Sequence, residues 1–495
     1  MPEHISALIV ILTMATSIFV IGKKHLEPLL APGEFVRWRN AWLIITLIAF
    51  LASNFWLYIL ATGIYVSRAV KKIDNRFAFF LAILFAVPVI YARLGPFFDI
   101  DYVRLLSLII LLPMLFSIKG RQDAPRLGQT FADWLVIILI TIMSLLEMRG
   151  TTVTDALRNG IGYGLSIFLP YFVASRALKD FNQLKVAIIA FTLAGMIAGT
   201  IAIFEFTKLW LLYQPLADVL NMPFDLGKYL GRGDSLRALS SLGHPLILGL
   251  VMVVTFGFYL FVGSLIKNKW IRRLCLLAIL AGLYVPVSRG PWVAAVVLFV
   301  IFLALGPQMI KKMTIALICF TVIVALLPII PGGQKIMNQL PFVGKVDSYN
   351  VDYREVLFDK GLQIVQREPL FGVPDPTLEP EMEDMVQGEG IVDIVNSYLN
   401  IVLTYGIPAL MLYVGLFIVA LYRVNKSRMK IKDKTSEEYL CGRMLIATML
   451  AVIVAISSVS SIGIIPTVIY TLVGLMLSYA RIIDNTYKKK FSWKE

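Results

Sequence analysis

"LKVAIIAFTLAGMIAGTIAIFEF", residues 184–206, decides the class of fold. A bilayer core of about 30 Å is crossed by roughly 20 helical residues. This stretch supplies that length with Lys185 at its start and Glu205 near its end. Residues 41–66, 243–264 and 312–331 repeat the pattern, and 441–480 is long enough for two crossings. The spacing of such stretches predicts about 12 to 14 spans. Of the 495 residues, 58% are hydrophobic and 16% charged, outside the range of a soluble domain. Lipid requires every backbone polar group to be satisfied, which a helix achieves within its own segment. No ten-residue alternation points to a barrel. The expectation is an all-α, polytopic integral membrane protein forming a single transmembrane domain over 1–495.

The net charge of +14 would suit nucleic acid, but its distribution argues against that partner. Lysines and arginines gather in short connections at 68–76, 119–126, 176–185, 267–273, 311–312 and 423–434, and in the tail "YKKKFSWKE". With one span over 5–21, these fall on every second connection, which marks the cytoplasmic side and puts both termini there. Residues 22–40, with Lys23, Lys24, Arg37 and Arg39, fall on the wrong side by this count. The N-terminus has no basic start and no small-residue cleavage site, so it reads as a first span and not as a removed signal peptide. Cys275, Cys319 and Cys441 lie in or beside apolar helices, so no disulfide framework is expected. His4, His25 and His244 are too scattered for a histidine-based metal site.

Two outward loops stand out, about 207–242 and about 332–393. In the second, Tyr353, Val356, Leu357 and Ile364 fall near helical spacing, which predicts a short surface helix over 351–366. Pro369, Gly372, Pro374 and Pro376 end it, and an acidic run follows at Glu379, Glu381, Glu383, Asp384 and Glu389. A loop of this length on a compact membrane protein with this mixture of aromatics, arginine and acids reads as functional.

"VPVSRGPWVAA", 285–295, sets an arginine between two apolar runs. Arg289 lies 16 residues beyond Arg273, roughly 24 Å of helix, which brings it close to the outer lipid boundary. Ser288 precedes it, and Pro291 suits the first position of the returning helix. A guanidinium beside a helix N-terminus is an anion site fit for a phosphate on a lipid; snorkelling to the headgroups accounts for it equally. "LRALSSLGHPLILG", 236–249, brings Arg237 and His244 before another outward-starting span, where His244 either serves a site or caps the helix. Arg354 is a third outward cation. Three arginines converging on one face would suit a pyrophosphate, since arginine binds phosphate oxygens bidentately. In "VDIVNSYLNIVLTYGIPALMLY", 392–413, Asp393, Asn396, Ser397, Asn400 and Thr404 share one helical face. That stripe reads as a hydrated groove, or else as Asp393 capping the helix with asparagines bonding between helices.

Taken in order, "RALSSLGHPLILG", "SRGPW", "YREVLFDKGLQIVQREPLFGV" and "NSYLNIVLTYGIPAL" resemble the O-antigen ligase and polysaccharide polymerase superfamily, over roughly 150–425. The resemblance implies a helical membrane enzyme at the periplasmic face of the bacterial inner membrane. Such an enzyme moves a glycan from an undecaprenyl-pyrophosphate carrier to a lipid-linked repeat (polymerase) or to lipid A–core (ligase). It implies metal-independent chemistry without a cofactor, and membrane lipids and other polysaccharide-assembly proteins as partners. Carried over by motif, Arg289 and Arg237 would hold the leaving pyrophosphate. Arg354, His244, Ser288, Asn396 and Asn400 would line the substrate. Family ligases place a histidine directly before the asparagine; here that position is Val395, while Asn396 and Gly406 keep the spacing. Asp393 is the favoured substitute base, with His244 the alternative, and the missing histidine favours polymerase over ligase. A lipid-linked-sugar flippase is the rival of another class, with Glu205 its nearest candidate acid.

Overall fold

The computed structural model describes all residues except Met1, 97, 119–123, 224–230, 233–234, 330–332, 335–336, 338–348, 387–391 and 493–495. It is 77% helical, with two short antiparallel hairpins, at Tyr91–Leu94 with Phe98–Asp101 and at Gly231–Arg232 with Ser235–Leu236. Among the described residues eight helices are long and apolar enough to cross a membrane, with shorter apolar helices at Tyr102–Ile118 and Arg289–Ala304. The chain is an all-α polytopic membrane protein. Phe181–Lys208 and Pro245–Leu265 are the most enclosed spans and form the centre, whereas Met309–Leu326 buries nothing. The 441–480 stretch becomes two helices, Glu437–Ala455 and Ile465–Ser492.

The bundle has two chemically distinct ends. At one, which we call the basic end, the lysine- and arginine-rich connections meet. Asn75 Nδ2 donates to the Gln183 carbonyl at 3.0 Å, Lys185 pairs with Glu437 at 3.2 Å, and Arg481 donates to the Leu178 carbonyl. The other, the loop end, carries the described parts of the 207–242 and 332–393 segments.

The N-terminal third departs from expectation. The apolar stretch 41–66 is not one span. It breaks at Ala52–Asn54 into Glu34–Leu51 and Phe55–Ala69, and Asn54 Oδ1 caps the second helix through the Leu57 N–H at 2.9 Å. The break sits against the loop end: Phe55 N–H donates to the Leu220 carbonyl at 3.0 Å and Asn221 Nδ2 to the Ser53 carbonyl at 2.9 Å. This added reversal of the chain changes the end of the bundle at which the preceding residues lie. Residues 22–40 therefore join the basic end, where Arg37 Nη1 reaches the Lys72 carbonyl at 2.6 Å. The start of the chain moves to the loop end, where Glu3 accepts the Trp210 indole N–H at 3.1 Å. The last helix ends at the basic end, with Asp484 bonded to Lys430 at 2.7 Å. Glu3 and Asp484 thus lie at opposite ends of the bundle, and the basic residues of 22–40 join the other basic connections.

Arg76–Ile83 is a short helix, exposed at Arg76 and buried from Phe77 on, followed by non-helical chain over 84–90 inside the protein. Irregular backbone at this depth persists only where protein satisfies it. Here Ser241 Oγ donates to the Phe85 carbonyl at 2.6 Å and Tyr102 Oη to the Ile83 carbonyl at 2.7 Å.

Candidate functional site

The irregular segments at the loop end carry the residues singled out above. Arg237 Nε donates to the Pro286 carbonyl at 3.1 Å, and Ala238 N–H to the Val285 carbonyl at 3.2 Å. These two bonds lay the 237–238 chain against 285–286, three residues before Arg289. Val287 takes a positive φ of 47°, strained for a β-branched residue. Arg289 itself opens the Arg289–Ala304 helix, two residues earlier than Pro291 suggested, with buried Ser288 as its N-cap residue. Both arginines are half-buried.

Glu205, the acid near the end of the opening sequence, holds this arrangement from beneath. Its carboxylate accepts the backbone N–H groups of Leu212 at 3.1 Å, Leu239 at 3.0 Å and Ser240 at 2.7 Å. A buried carboxylate is otherwise costly; here three amides satisfy it and it pins the segment that carries Arg237.

His244 caps the Pro245–Leu265 helix: its Nδ1 accepts the Leu246 N–H at 3.2 Å. Burial, helped by the Arg237 charge, pushes its pKa down to about 4. The ring is therefore neutral, and with Nδ1 an acceptor its proton sits on Nε2. A histidine so placed is a hydrogen-bond donor and a poor base.

Asp393 is not a helix cap and not on a helical stripe. It lies in extended chain, half-buried, and the helix begins only at Ser397 with Asn396 as its cap. Asn396 Oδ1 accepts the N–H groups of Tyr398 at 3.0 Å and Leu399 at 3.2 Å, so its carbonyl is spent on structure. Ser397 is buried and donates to the Val459 carbonyl at 2.6 Å. Asn400 is half-buried one turn in. The expected polar stripe is thus broken at its first turn. Burial raises the Asp393 pKa, and neighbouring Arg354 opposes the rise. Arg354 sits exposed on the Tyr349–Arg367 helix, close to the expected 351–366. Tyr353, Leu357 and Ile364 of that helix are buried, but Val356 faces outward. Tyr353 Oη accepts the Asp393 N–H at 3.2 Å and donates to the Met385 carbonyl at 3.2 Å, so the helix that presents Arg354 also positions Asp393.

The linker "SSVSSIGI", 457–464, joins the two halves of the site. Ser460 Oγ donates to the Ile394 carbonyl at 3.2 Å, and Ser397 N–H to the Ile456 carbonyl at 2.9 Å. On its other side a Cβ at Gly290 would fall 1.8 Å from Ser458 Oγ, so the Arg289 turn presses directly on this linker. Sequence reading missed it; the signal was a serine run between two spans.

The long loop is more committed than its composition implied. Arg367 bridges Glu379 and Glu381, and Lys360 pairs with Asp384 at 3.0 Å. Those acids are engaged in holding the loop to its own helix. Glu389 lies outside the described residues. Beyond the helix, 369–373 docks on a break in Ser397–Arg428. Pro408 has no N–H for the Thr404 carbonyl, and Ile407 N–H turns away to the Pro369 carbonyl at 2.8 Å. Val373 N–H then fills the Leu403 carbonyl at 2.7 Å. Arg149 serves the rest: it donates to the Thr404 carbonyl at 3.0 Å and to those of Phe371 and Gly372 at 2.9 Å each. Gly406 adopts φ 82° and ψ 175°, and a Cβ there would meet the Leu370 oxygen at 2.2 Å. Next to this break Glu147 accepts Tyr163 Oη at 2.7 Å, Tyr405 Oη at 2.8 Å and Asn159 Nδ2 at 3.0 Å. Neither Arg149 nor Glu147 was visible as special in the sequence.

Among the described residues no group of three or more His, Cys, Asp or Glu is gathered to hold a metal ion. The candidate site brings together Arg237 docked on a backbone carbonyl, Arg289 three residues beyond that contact, and half-buried Asp393, next to Ile394, which bonds the 457–464 linker on which the Arg289 turn presses. Residues 274–414 match the family model described as O-antigen ligase, a similarity that supports a relation to the O-antigen ligase superfamily. The match includes Arg289, Arg354, Asp393 and Asn396; Arg237 and His244 lie before it. It supports glycan transfer of the ligase or polymerase type. No curated protein matches the chain.

Proposed function

We propose that the chain is a polysaccharide polymerase that joins glycan units carried on undecaprenyl pyrophosphate, at the periplasmic face of the bacterial inner membrane. The observation that carries the reading is the Arg237–Pro286 bond, which brings the first cationic motif against the second, three residues from Arg289. Arg289 and Arg237 grip the diphosphate of the donor and stabilise the charge that grows as the sugar C1–O bond breaks. The acceptor hydroxyl attacks C1, its proton passes to the Asp393 carboxylate, and undecaprenyl diphosphate leaves. Partial burial makes that carboxylate a better base than an exposed one. Arg354 tempers it. His244 donates from Nε2 and does not act as the base. Val395 at the histidine position of ligases is buried and apolar, which favours polymerase over ligase.

Cells carrying Arg289→Ala, with the protein still in the membrane fraction, are expected to accumulate single lipid-linked repeats and no polymer. Full-length polymer in those cells would remove Arg289 from the mechanism. Long lipid-linked chains made without any lipid A–core acceptor would separate polymerase from ligase.

A further inference from the structure

At the basic end, two arginines are buried without an acid. Arg428, at the end of Ser397–Arg428, is 7% exposed, and Arg443, in the second turn of Glu437–Ala455, is 6% exposed. Among the described residues, Arg428 Nε and Nη1 and Arg443 Nε meet no hydrogen-bond acceptor. Among the described residues no carboxylate lies within ion-pair distance of either; Asp484, on the neighbouring helix, is taken by Lys430 and Ser427. Their remaining contacts are weak in charge. Arg428 Nη2 donates to Asn425 Oδ1 at 2.9 Å and Arg443 Nη2 to the Phe302 carbonyl at 2.6 Å. Arg428 lies over the Tyr439 ring at 5.2 Å and Arg443 over the Phe302 ring at 4.4 Å. The two guanidinium groups are near enough to repel each other.

Burying one unpaired charge is expensive, and burying two of like sign more so. Ends of helices supply partial negative charge, and Phe302 lies in the last turn of Arg289–Ala304. That compensates part of one charge and leaves three N–H groups unmet. A phosphate offers what is missing: negative charge and several oxygens in the geometry a guanidinium fork prefers. The adjoining turns are outward-facing and mix exposed apolar side chains, Tyr422, Met429, Met309 and Ile310, with exposed Arg423, Lys426 and Lys430. The apolar members suit acyl chains.

We propose that Arg428 and Arg443 form a binding site for a phosphate-bearing anion, filled by the headgroup of an anionic phospholipid at the basic end of the bundle. The site is separate from the loop-end arginines and lies beyond the family match. The test compares thermal unfolding of the full chain in phosphatidylcholine nanodiscs, in the same discs with phosphatidylglycerol, and in phosphatidylcholine with inorganic phosphate. Phosphatidylglycerol is expected to raise the wild-type Tm by about 4 °C, and Arg428→Gln/Arg443→Gln is expected to lose that gain. An equal gain from inorganic phosphate would keep the anion site and overturn the lipid as its source. No gain from either addition in the wild type, or an undiminished gain in the double variant, overturns the site. The wild-type arms decide the matter even should the variant fail to fold.

Discussion

The two ends of the bundle treat arginine differently. At the basic end Arg176 is fully buried against an equally buried Asp133. Its Nη2 donates to both carboxylate oxygens at 2.7 and 2.6 Å, Nε to the Pro125 carbonyl at 3.0 Å and Nη1 to Ser175 Oγ at 2.6 Å. Tyr171 Oη and the Gly128 N–H complete the carboxylate at 2.7 and 3.1 Å. Charge meets charge and every group is satisfied, so the pair is a structural anchor. At the loop end Arg149 and Arg237 dock instead on backbone carbonyls exposed by interrupted helices. A carbonyl orients a guanidinium without cancelling its charge. Arg176 thus locks one end, whereas Arg149 and Arg237 keep uncancelled charge at the other, where Arg158 and Arg367 pair with acids instead. Arg428 and Arg443 carry the loop-end pattern to the basic end.

This contrast can be broken by substitution. Asp133→Asn leaves Arg176 buried and uncompensated, and should destabilise the protein by about 3–5 kcal/mol in detergent-solubilised unfolding. A loss below about 1 kcal/mol would mean that the pair is not an anchor. Arg149→Gln removes three charge-assisted bonds to a helix break but leaves no charge stranded. Its expected cost is smaller, about 2 kcal/mol, and it should raise proteolysis near 369–373 before the bundle melts. Equal costs for the two variants would erase the distinction between the ends.

The smallest effect tests the electrostatics around Asp393. Its pKa is raised by burial and lowered by Arg354. The base is active when ionised, so activity falls as pH drops through that pKa. Arg354→Gln removes the lowering influence, so the acid limb of the pH–rate profile should move to higher pH. A shift to lower pH, or none, would remove Arg354 from the neighbourhood of the base.

Much of the fold was legible along the chain because lipid imposes a one-dimensional rule: length and apolarity alone mark a crossing. The rule failed at Ala52–Asn54, where two helices follow each other with only "ASN" between them and hydropathy never drops far enough to signal a turn. It also failed to place the cap of Ser397–Arg428, because Asp393 and Asn396 suit that position equally and periodicity cannot choose between them. The cationic motifs 236–249 and 285–295 were found because an arginine between apolar runs is conspicuous. Arg149, Glu147 and the 457–464 linker were not, because their partners lie far along the chain: Arg149 meets Gly372 and Thr404, Glu147 meets Tyr405, and Ser460 meets Ile394.

The amino-acid order determined that this chain is a helical membrane protein, which connections are basic, and which arginines lie near a boundary. All of these follow from local composition set against a uniform solvent slab. Tertiary structure decided the rest. It determined which ends of the bundle Glu3 and Asp484 occupy, that Arg237 meets the turn before Arg289, that His244 caps and stays neutral, and which buried cations are matched by acids. These depend on contacts between distant segments, where a hydrogen bond or an ion pair is won or lost by position in space and not by neighbours in the chain.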